Sequence, residues 1–149
     1  MDIIIEQLQN EDSKSFLELV RIFASVFEMD GFVDPGEDHL LKILRSEHFG
    51  VFVARSGNRV VGGLTLHVLE NYYEPKPAAY IYDVGIEKSF QRKGIGSQLM
   101  DAVMDYCREN GFKEAWVEAE TDDIHAVNFY RKTKHSQLLN ATHFIYNFE

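Results

Sequence analysis

The residues best suited to chemistry lie in a glycine-rich turn at positions 91–97. Gly94 and Gly96 carry no side chain, so the backbone there can approach a bulky anion closely. A helix that begins at this turn presents unpaired N–H groups and the positive end of its dipole. Arg92 and Lys93 add positive charge beside them. The pattern predicts a cradle for a pyrophosphate group.

Other sites for anions or metals fit the sequence less well. The turn lacks the spacing of a Walker loop, and its two glycines fall short of the dinucleotide fingerprint, although a plain flexible loop stays open as an alternative. The single cysteine, Cys107, excludes an intrachain disulfide and a cysteine-based metal cluster. None of the six histidines is spaced to place two ligands on one helical face, so we expect no metal site.

Composition bounds the class of protein. A chain of 149 residues predicts one domain, residues 1–149. The net charge of −9 repels nucleic acid and anionic membranes, which we do not expect as partners, and attracts cations. No apolar run reaches the roughly 18 residues of a membrane span, and the N-terminus lacks a signal pattern. These features predict a cytoplasmic location.

Hydrophobic periodicity predicts the elements that position the turn. Residues 2–7 and the segments Phe49–Ala54, Val60–Leu69, Ala79–Val84, Glu114–Glu120 and Ala141–Phe148 have strand patterns. Helical patterns cover a segment from Ser13, as the cap, to about Phe27, a second that starts near Asp34-Pro35, a third from Gly94 to Asn110 and a fourth from Asp123 to Lys132. The predicted order is β-α-α-β-β-β-α-β-α-β, an α/β (α+β) fold with one mixed sheet flanked by helices.

The motif Gln91-x-x-Gly94-x-Gly96, after Val84-x-Ile86 and before an amphipathic helix, resembles the coenzyme A signature of the GNAT superfamily of N-acetyltransferases. The resemblance implies a mixed, mostly antiparallel sheet, acetyl-CoA as co-substrate, and acetyl transfer to an amine. A narrower similarity, to the type I branch of aminoglycoside 3-N-acetyltransferases, rests on three short segments: Tyr80-Ile81-Tyr82-Asp83, Phe23-x-x-x-Phe27 and His143-Phe144. It implies a small cationic acceptor, an antibiotic-resistance role and a homodimer.

The resemblance also assigns cofactor contacts. The backbones of Val84 and Ile86 would contact the pantetheine arm and the acetyl group, and Gly85 between them suggests a β-bulge. Asn128 would pair with a pantetheine amide. The residues that would hold the pyrophosphate are Gln91, Arg92, Lys93, Gly94, Ile95, Gly96 and Ser97.

Two residues would carry the proton transfers. Tyr130 resembles the tyrosine that serves the family as general acid. A phenol suits this role because it keeps its proton at neutral pH. Asp83 would take a proton from the acceptor ammonium or attract it. The alternatives are a core aromatic and an ordinary strand-end carboxylate.

Further carboxylates could line a cationic pocket. Glu118 shares one face of its strand with Trp116 and Glu120, by the two-residue alternation of a strand. The full set that we assign to substrate binding is Glu28, Asp30, Glu118, Glu120 and Asp123. A solvated acidic surface is the alternative. Competing functions are acetylation of a polyamine or another amine, and a non-catalytic acyl-CoA-binding sensor.

Overall fold

A computed structural model describes residues 2–149 and contains one five-stranded sheet. The strands lie in the order β1-β2-β3-β4-β5, and all neighbours are antiparallel except β4 and β5. This confirms the predicted mixed, mostly antiparallel fold. The elements are β1 Ile3–Gln7, α1 Ser13–Val26, α2 Glu37–Leu44, β2 Phe49–Ser56, β3 Arg59–Leu69, β4 Ala78–Ile86, a 3-10 helix Lys88–Phe90, α3 Ile95–Glu109, β5 Glu114–Val117 and α4 Ile124–Arg131.

Helix α1 packs closely on the sheet because two glycines of paired strands make room for it. A Cβ on Gly63 would stand 2.9 Å from the methyl carbons of Leu19, and one on Gly85 would stand 2.8 Å from the ring of Phe23. Gly63 and Gly85 are partners across the β3–β4 ladder. The face of the sheet that carries α1 is therefore flat at this point, and α1 lies directly over the strand that leads into the predicted cofactor site.

Helix α3 packs against the sheet through residues such as Tyr106, whose ring meets the Phe52 ring edge-on at a centroid distance of 5.6 Å. Burial of apolar side chains on both sides supplies the driving force for this layered arrangement. The largest side chains that are fully buried are Leu19, Val51, Val53, Val61, Leu64, Leu66, Ile81, Ile95, Leu99 and Val103.

The chain forms two compact units, one reaching to Glu118 and the other running from Ala119 to Glu149. The first holds the sheet with α1, α2 and α3, and the second holds α4. The single domain expected over 1–149 stays a prediction. None of the helices described within residues 2–149 is long and apolar enough to cross a membrane.

The predicted last strand, Ala141–Phe148, does not form. No strand is present in that segment, and the sheet ends at β5. Alternating apolar residues are not sufficient for a strand, because each backbone N–H and C=O also needs a paired neighbour. Large side chains of this segment are exposed instead, including Phe144, Ile145 and Tyr146.

Two local expectations also change. Asp12 rather than Ser13 precedes the first turn of α1, and the buried Ser13 hydroxyl donates to Glu37 of α2 at 3.1 Å. Strand β5 ends at Val117 rather than Glu120, since only Glu114–Val117 has a partner on β4.

Candidate active site

A β-bulge lies in the middle of β4. The β3–β4 register shifts between Leu64 and Leu66, so Thr65 stands opposite two residues, Tyr82 and Asp83. The prediction of a bulge at Gly85 is wrong. Gly85 pairs regularly with its partner on β3, and its missing side chain serves the packing of α1.

The bulge fixes the position of Asp83. Its main-chain N–H donates to the hydroxyl oxygen of Thr65 at 3.3 Å. The side chain is half-buried, and this burial raises the pKa of Asp83, while nearby His67 partly opposes the rise. A carboxyl group with a raised pKa binds a proton more readily than an ordinary carboxylate, which suits a group that takes a proton from a substrate.

Beyond the bulge, one edge of β4 has no strand paired to it among residues 2–149, and we call it the free edge. The last pair between β4 and β5 joins Ile81 to Val117, although β4 continues to Ile86. On the other edge, the Glu87 N–H donates to the Val61 carbonyl at 2.8 Å. Glu87 and Val61 continue the β3–β4 register. Along an antiparallel ladder, hydrogen-bonded pairs of residues alternate with pairs that are not hydrogen-bonded.

That alternation directs the backbone groups of Val84 and Ile86 away from β3, toward the free edge. The Ile86 carbonyl accepts a hydrogen bond from the Gln91 side-chain amide at 2.8 Å. Gln91 therefore ties the turn to the end of β4 through its side chain. The remaining outward groups can pair with an extended chain that carries amides, as a further strand would.

The glycine-rich turn has the geometry of an anion cradle. Gly94 precedes α3 with a φ of +82°, in the left-handed region, and a Cβ there would meet nothing within 4 Å. The Gln98 N–H is bonded to the Gly94 carbonyl at 3.1 Å. The N–H groups of Ile95, Gly96 and Ser97 come before it in the first turn, where a helix offers them no partner. These groups and the helix dipole favour an anion.

Two cationic side chains next to the turn lie against the ring of Phe90. The Lys93 ammonium lies 5.5 Å from the centre of the Phe90 ring, and the Arg59 guanidinium lies 5.4 Å from it. Arg59 also pairs with Glu87 at 2.8 Å. Sequence reasoning missed Arg59, because it begins β3 and only strand pairing brings it to the turn. Arg92 is exposed and has a φ of +61°, which is uncommon for a residue with a side chain.

Aromatic side chains form a surface beside Asp83, which we call the aromatic patch and define as His67, Tyr80, Tyr82 and Trp116. The Tyr80 and Trp116 rings are stacked at 4.2 Å, and the Tyr82 ring meets Tyr80 edge-on at 5.7 Å. His67 meets Tyr82 edge-on at 5.5 Å. The Tyr80 hydroxyl donates to Glu118 at 3.1 Å.

The other predicted carboxylates are spread over both units. Glu28 and Asp30 are exposed in the loop after α1. In the second unit, Glu120 is exposed, and Asp123 caps α4 by accepting the Ala126 N–H at 3.2 Å. A capping carboxylate already has a structural role, which the sequence pattern did not separate from substrate binding.

The two remaining site residues lie on α4. Asn128 is exposed, and Tyr130 is half-buried with its ring 5.0 Å from the Phe129 ring. The Tyr130 carbonyl accepts a hydrogen bond from the Thr133 hydroxyl at 2.5 Å. Their functional roles stay predictions. Within residues 2–149, no three His, Cys, Asp or Glu side chains are grouped as metal ligands would be.

Comparison with known proteins decides the family. The acetyltransferase (GNAT) family model matches residues 8–134, which is most of the chain. The chain belongs to the GNAT family. The match spans the bulge, the free edge of β4 and the anion cradle, so the resemblance read from the turn is confirmed.

GNAT proteins of known structure include a near relative. An aminoglycoside acetyltransferase from an uncultured soil metagenomic sample, solved with sisomicin, is 43% identical with a TM-score of 0.96; 99% of this chain and 97% of that chain are covered. The same relative solved with trehalose is 44% identical over the same shares, with a TM-score of 0.96.

A curated relative is more distant. Streptothricin acetyltransferase A of Bacillus subtilis (strain 168) is 25% identical over 96 residues, which are 64% of this chain and 53% of that protein. The chain thus spans about half the length of the curated relatives that it matches.

Proposed function

We propose that this GNAT protein transfers acetyl from acetyl-CoA to the 3-amino group of an aminoglycoside. One observation carries the proposal: a single segment, residues 82–97, provides a half-buried carboxyl group, a free strand edge and an anion cradle in that order. This order matches the amine, the thioester with its pantetheine arm, and the pyrophosphate.

Acetyl-CoA supplies the activated acetyl group when it is bound. The outward backbone groups of Val84 and Ile86 would pair with the amides of the pantetheine arm. The first N–H groups of α3, with Arg92 and Lys93, would hold the pyrophosphate. The empty space around Gly94 supports this assignment, because a bulky anion can approach the backbone there.

Asp83 and Tyr130 would carry the two proton transfers. Asp83 takes the proton from the acceptor ammonium, which frees the nitrogen lone pair to attack the thioester carbonyl carbon. As the carbon–sulfur bond breaks, Tyr130 gives its phenol proton to the sulfur, and the second proton that the nitrogen loses on becoming an amide restores the phenol. Asn128 would orient the pantetheine arm. The half-buried position of Asp83 and its raised pKa support its part in this scheme.

The acceptor assignment has separate support. The near relative is an aminoglycoside acetyltransferase, and this chain shares 44% of its residues over nearly its whole length. The excess of acidic residues gives a net charge of −9, which favours a polycation over an acidic amine. The segment Tyr80 to Asp83, similar to the 3-N branch, is the basis for the 3-amino group.

Thiol release from acetyl-CoA tests the proposal. We expect rapid release with gentamicin, a mass gain of one acetyl group, and acetylation at the 3-amino nitrogen by NMR of the product. Thiol release with spermidine alone would show that the acceptor is a polyamine and would still support acetyl transfer. Tight acetyl-CoA binding without release for any amine would support a sensor instead.

A homodimer belongs to the same proposal. Residues near the C-terminus expose large apolar side chains, among them Leu139 at 83% and Phe148 at 96% exposure. Contact with a second copy would remove such groups from water. Light scattering of the purified protein should give twice the chain mass of 17.2 kDa, and the mass of one chain would contradict the dimer.

A further inference from the structure

The aromatic patch is open to solvent, although the sheet face that holds it is covered elsewhere. Helix α1 packs over Gly63 and Gly85 on this face. Tyr82 is 58% exposed and Trp116 is 38% exposed, and the two are linked through the ring of Tyr80. A contiguous exposed group of rings in an otherwise packed sheet is typical of a binding surface.

Contacts within the patch hold its rings in fixed orientations. Stacking on Trp116 orients Tyr80, and its hydroxyl is fixed by Glu118. Burial and this hydrogen bond raise the pKa of Tyr80, so the hydroxyl stays a donor. The edge-on ring of His67 supports Tyr82. A ligand therefore meets a surface that is already ordered, which lowers the entropy cost of binding.

Carboxyl groups flank the patch on two strands. Asp83 follows Tyr82 in the bulge of β4, and Glu118 lies just after β5 at the hydroxyl of Tyr80. Aromatic faces themselves attract cations through their ring quadrupole. The combination of flat rings and nearby negative charge suits a ligand that has both apolar ring faces and ammonium groups.

We propose that the aromatic patch, with Glu118, is a subsite for an aminosugar ring of the acceptor and selects ring-containing polycations over linear ones. The proposal rests on the proposed function. The C–H groups of a sugar ring would lie on the exposed rings of Tyr82 and Trp116, and an ammonium group would pair with Glu118. A linear polyamine gains the charge contacts but has no ring face to stack.

Trp116 reports on binding directly, because it is the one tryptophan in the chain. Its fluorescence is measured while gentamicin or spermidine is added to the wild-type protein without acetyl-CoA. We expect a saturable change with gentamicin, and with spermidine none or one that needs at least about tenfold more ligand. No change with gentamicin, or equal half-saturation with both amines, would overturn the proposal.

Variants test the stacking itself. Tyr82→Leu should raise the KM for gentamicin about fivefold and leave the KM for spermidine within about twofold. Trp116→Phe, which keeps a ring, should lie closer to wild type than Trp116→Leu. Phe112→Leu is the matched control, because its ring packs on Tyr106 of α3, and it should change neither KM. An equal rise for both amines in Tyr82→Leu would contradict the subsite.

The charge contact has its own variant. Glu118→Gln should weaken the binding of both gentamicin and spermidine, since the substitution removes a negative charge and leaves the aromatic rings in place. The fluorescence experiment needs no turnover, so it separates the two proposals. A fluorescence change specific to gentamicin, without acetyl transfer, would refute the proposed enzymatic activity and support the subsite. Acetyl transfer to gentamicin without a fluorescence change would support the activity and refute the subsite.

Discussion

The main-chain N–H of Asp83 donates to the hydroxyl of Thr65 across the β3–β4 ladder. Thr65 is only 5% exposed, so the bulge has a buried side-chain acceptor where the regular ladder is interrupted. A single hydroxyl thereby helps to fix the carboxyl group on which the proposed proton transfer depends.

Replacing Thr65 tests whether the bulge is held in this way. Thr65→Val keeps the shape but removes the acceptor, so the free energy of unfolding should fall by about 1–2 kcal/mol. The value of kcat/KM should fall about tenfold as Asp83 shifts. Thr65→Ser keeps the hydroxyl and should retain more of both. Urea melts and steady-state rates measure the effects, and full activity in Thr65→Val would show that the bulge needs no such support.

Asp83→Asn should lower the activity of the protein but raise its stability at high pH. Because burial raises the pKa of Asp83 in the folded state, its ionisation opposes folding, and wild-type stability falls as pH rises through that pKa. The variant should therefore be more stable than wild type at about pH 8, and the gap should close toward about pH 4. Its kcat should drop about 100-fold.

Thermal melts across this pH range and rates at fixed pH check both halves. A variant with wild-type turnover would refute the catalytic role. A stability gap that does not vary with pH would show that the carboxyl group carries no raised pKa.

Gly85→Ala tests the close approach of α1. The new Cβ would lie 2.8 Å from Phe23 and 3.2 Å from Val26, so we expect a loss of about 1–3 kcal/mol of stability. Combining it with Phe23→Leu should recover part of that loss, because the smaller side chain gives room. Additive losses in the double variant, measured by chemical denaturation, would count against the contact.

The anion cradle can be tested with a control at the other end of the same helix. Gly94 and Gly111 both have positive φ values, +82° and +71°, and open space around them. Alanine at either position should cost about 1 kcal/mol through backbone strain. Only Gly94→Ala should also weaken acetyl-CoA binding, by calorimetry, because only Gly94 lies at the first turn. Equal affinities of the two variants for acetyl-CoA would show that the pyrophosphate does not bind at the first turn of α3.

Tyr130→Phe tests the general acid. The variant removes one hydroxyl, so kcat should fall about 10- to 100-fold while the Kd for acetyl-CoA stays within about twofold. Tyr106→Phe, on α3, removes the same group away from the site and should keep both values. Unchanged kcat in Tyr130→Phe would remove the acid role from this residue.

Several features could be predicted because their causes are local. The start of α3 at the glycine-rich turn depends on a few neighbouring residues. The cofactor contacts of the Val84 and Ile86 backbones come from the resemblance and stay a prediction, while the ladder itself shows only that these backbone groups point away from β3. The final strand over Ala141–Phe148 failed because its pairing depends on a distant backbone.

The family and the order of elements through α4 follow from the amino-acid sequence alone, since a contiguous motif and short-range periodicity encode them. The position of the bulge emerges only in the folded sheet, because register between β3 and β4 is a property of two strands. The folded sheet also brings Arg59 to the turn and stacks Tyr80 on Trp116. These contacts join residues far apart in the chain, and only the folded sheet sets their distances.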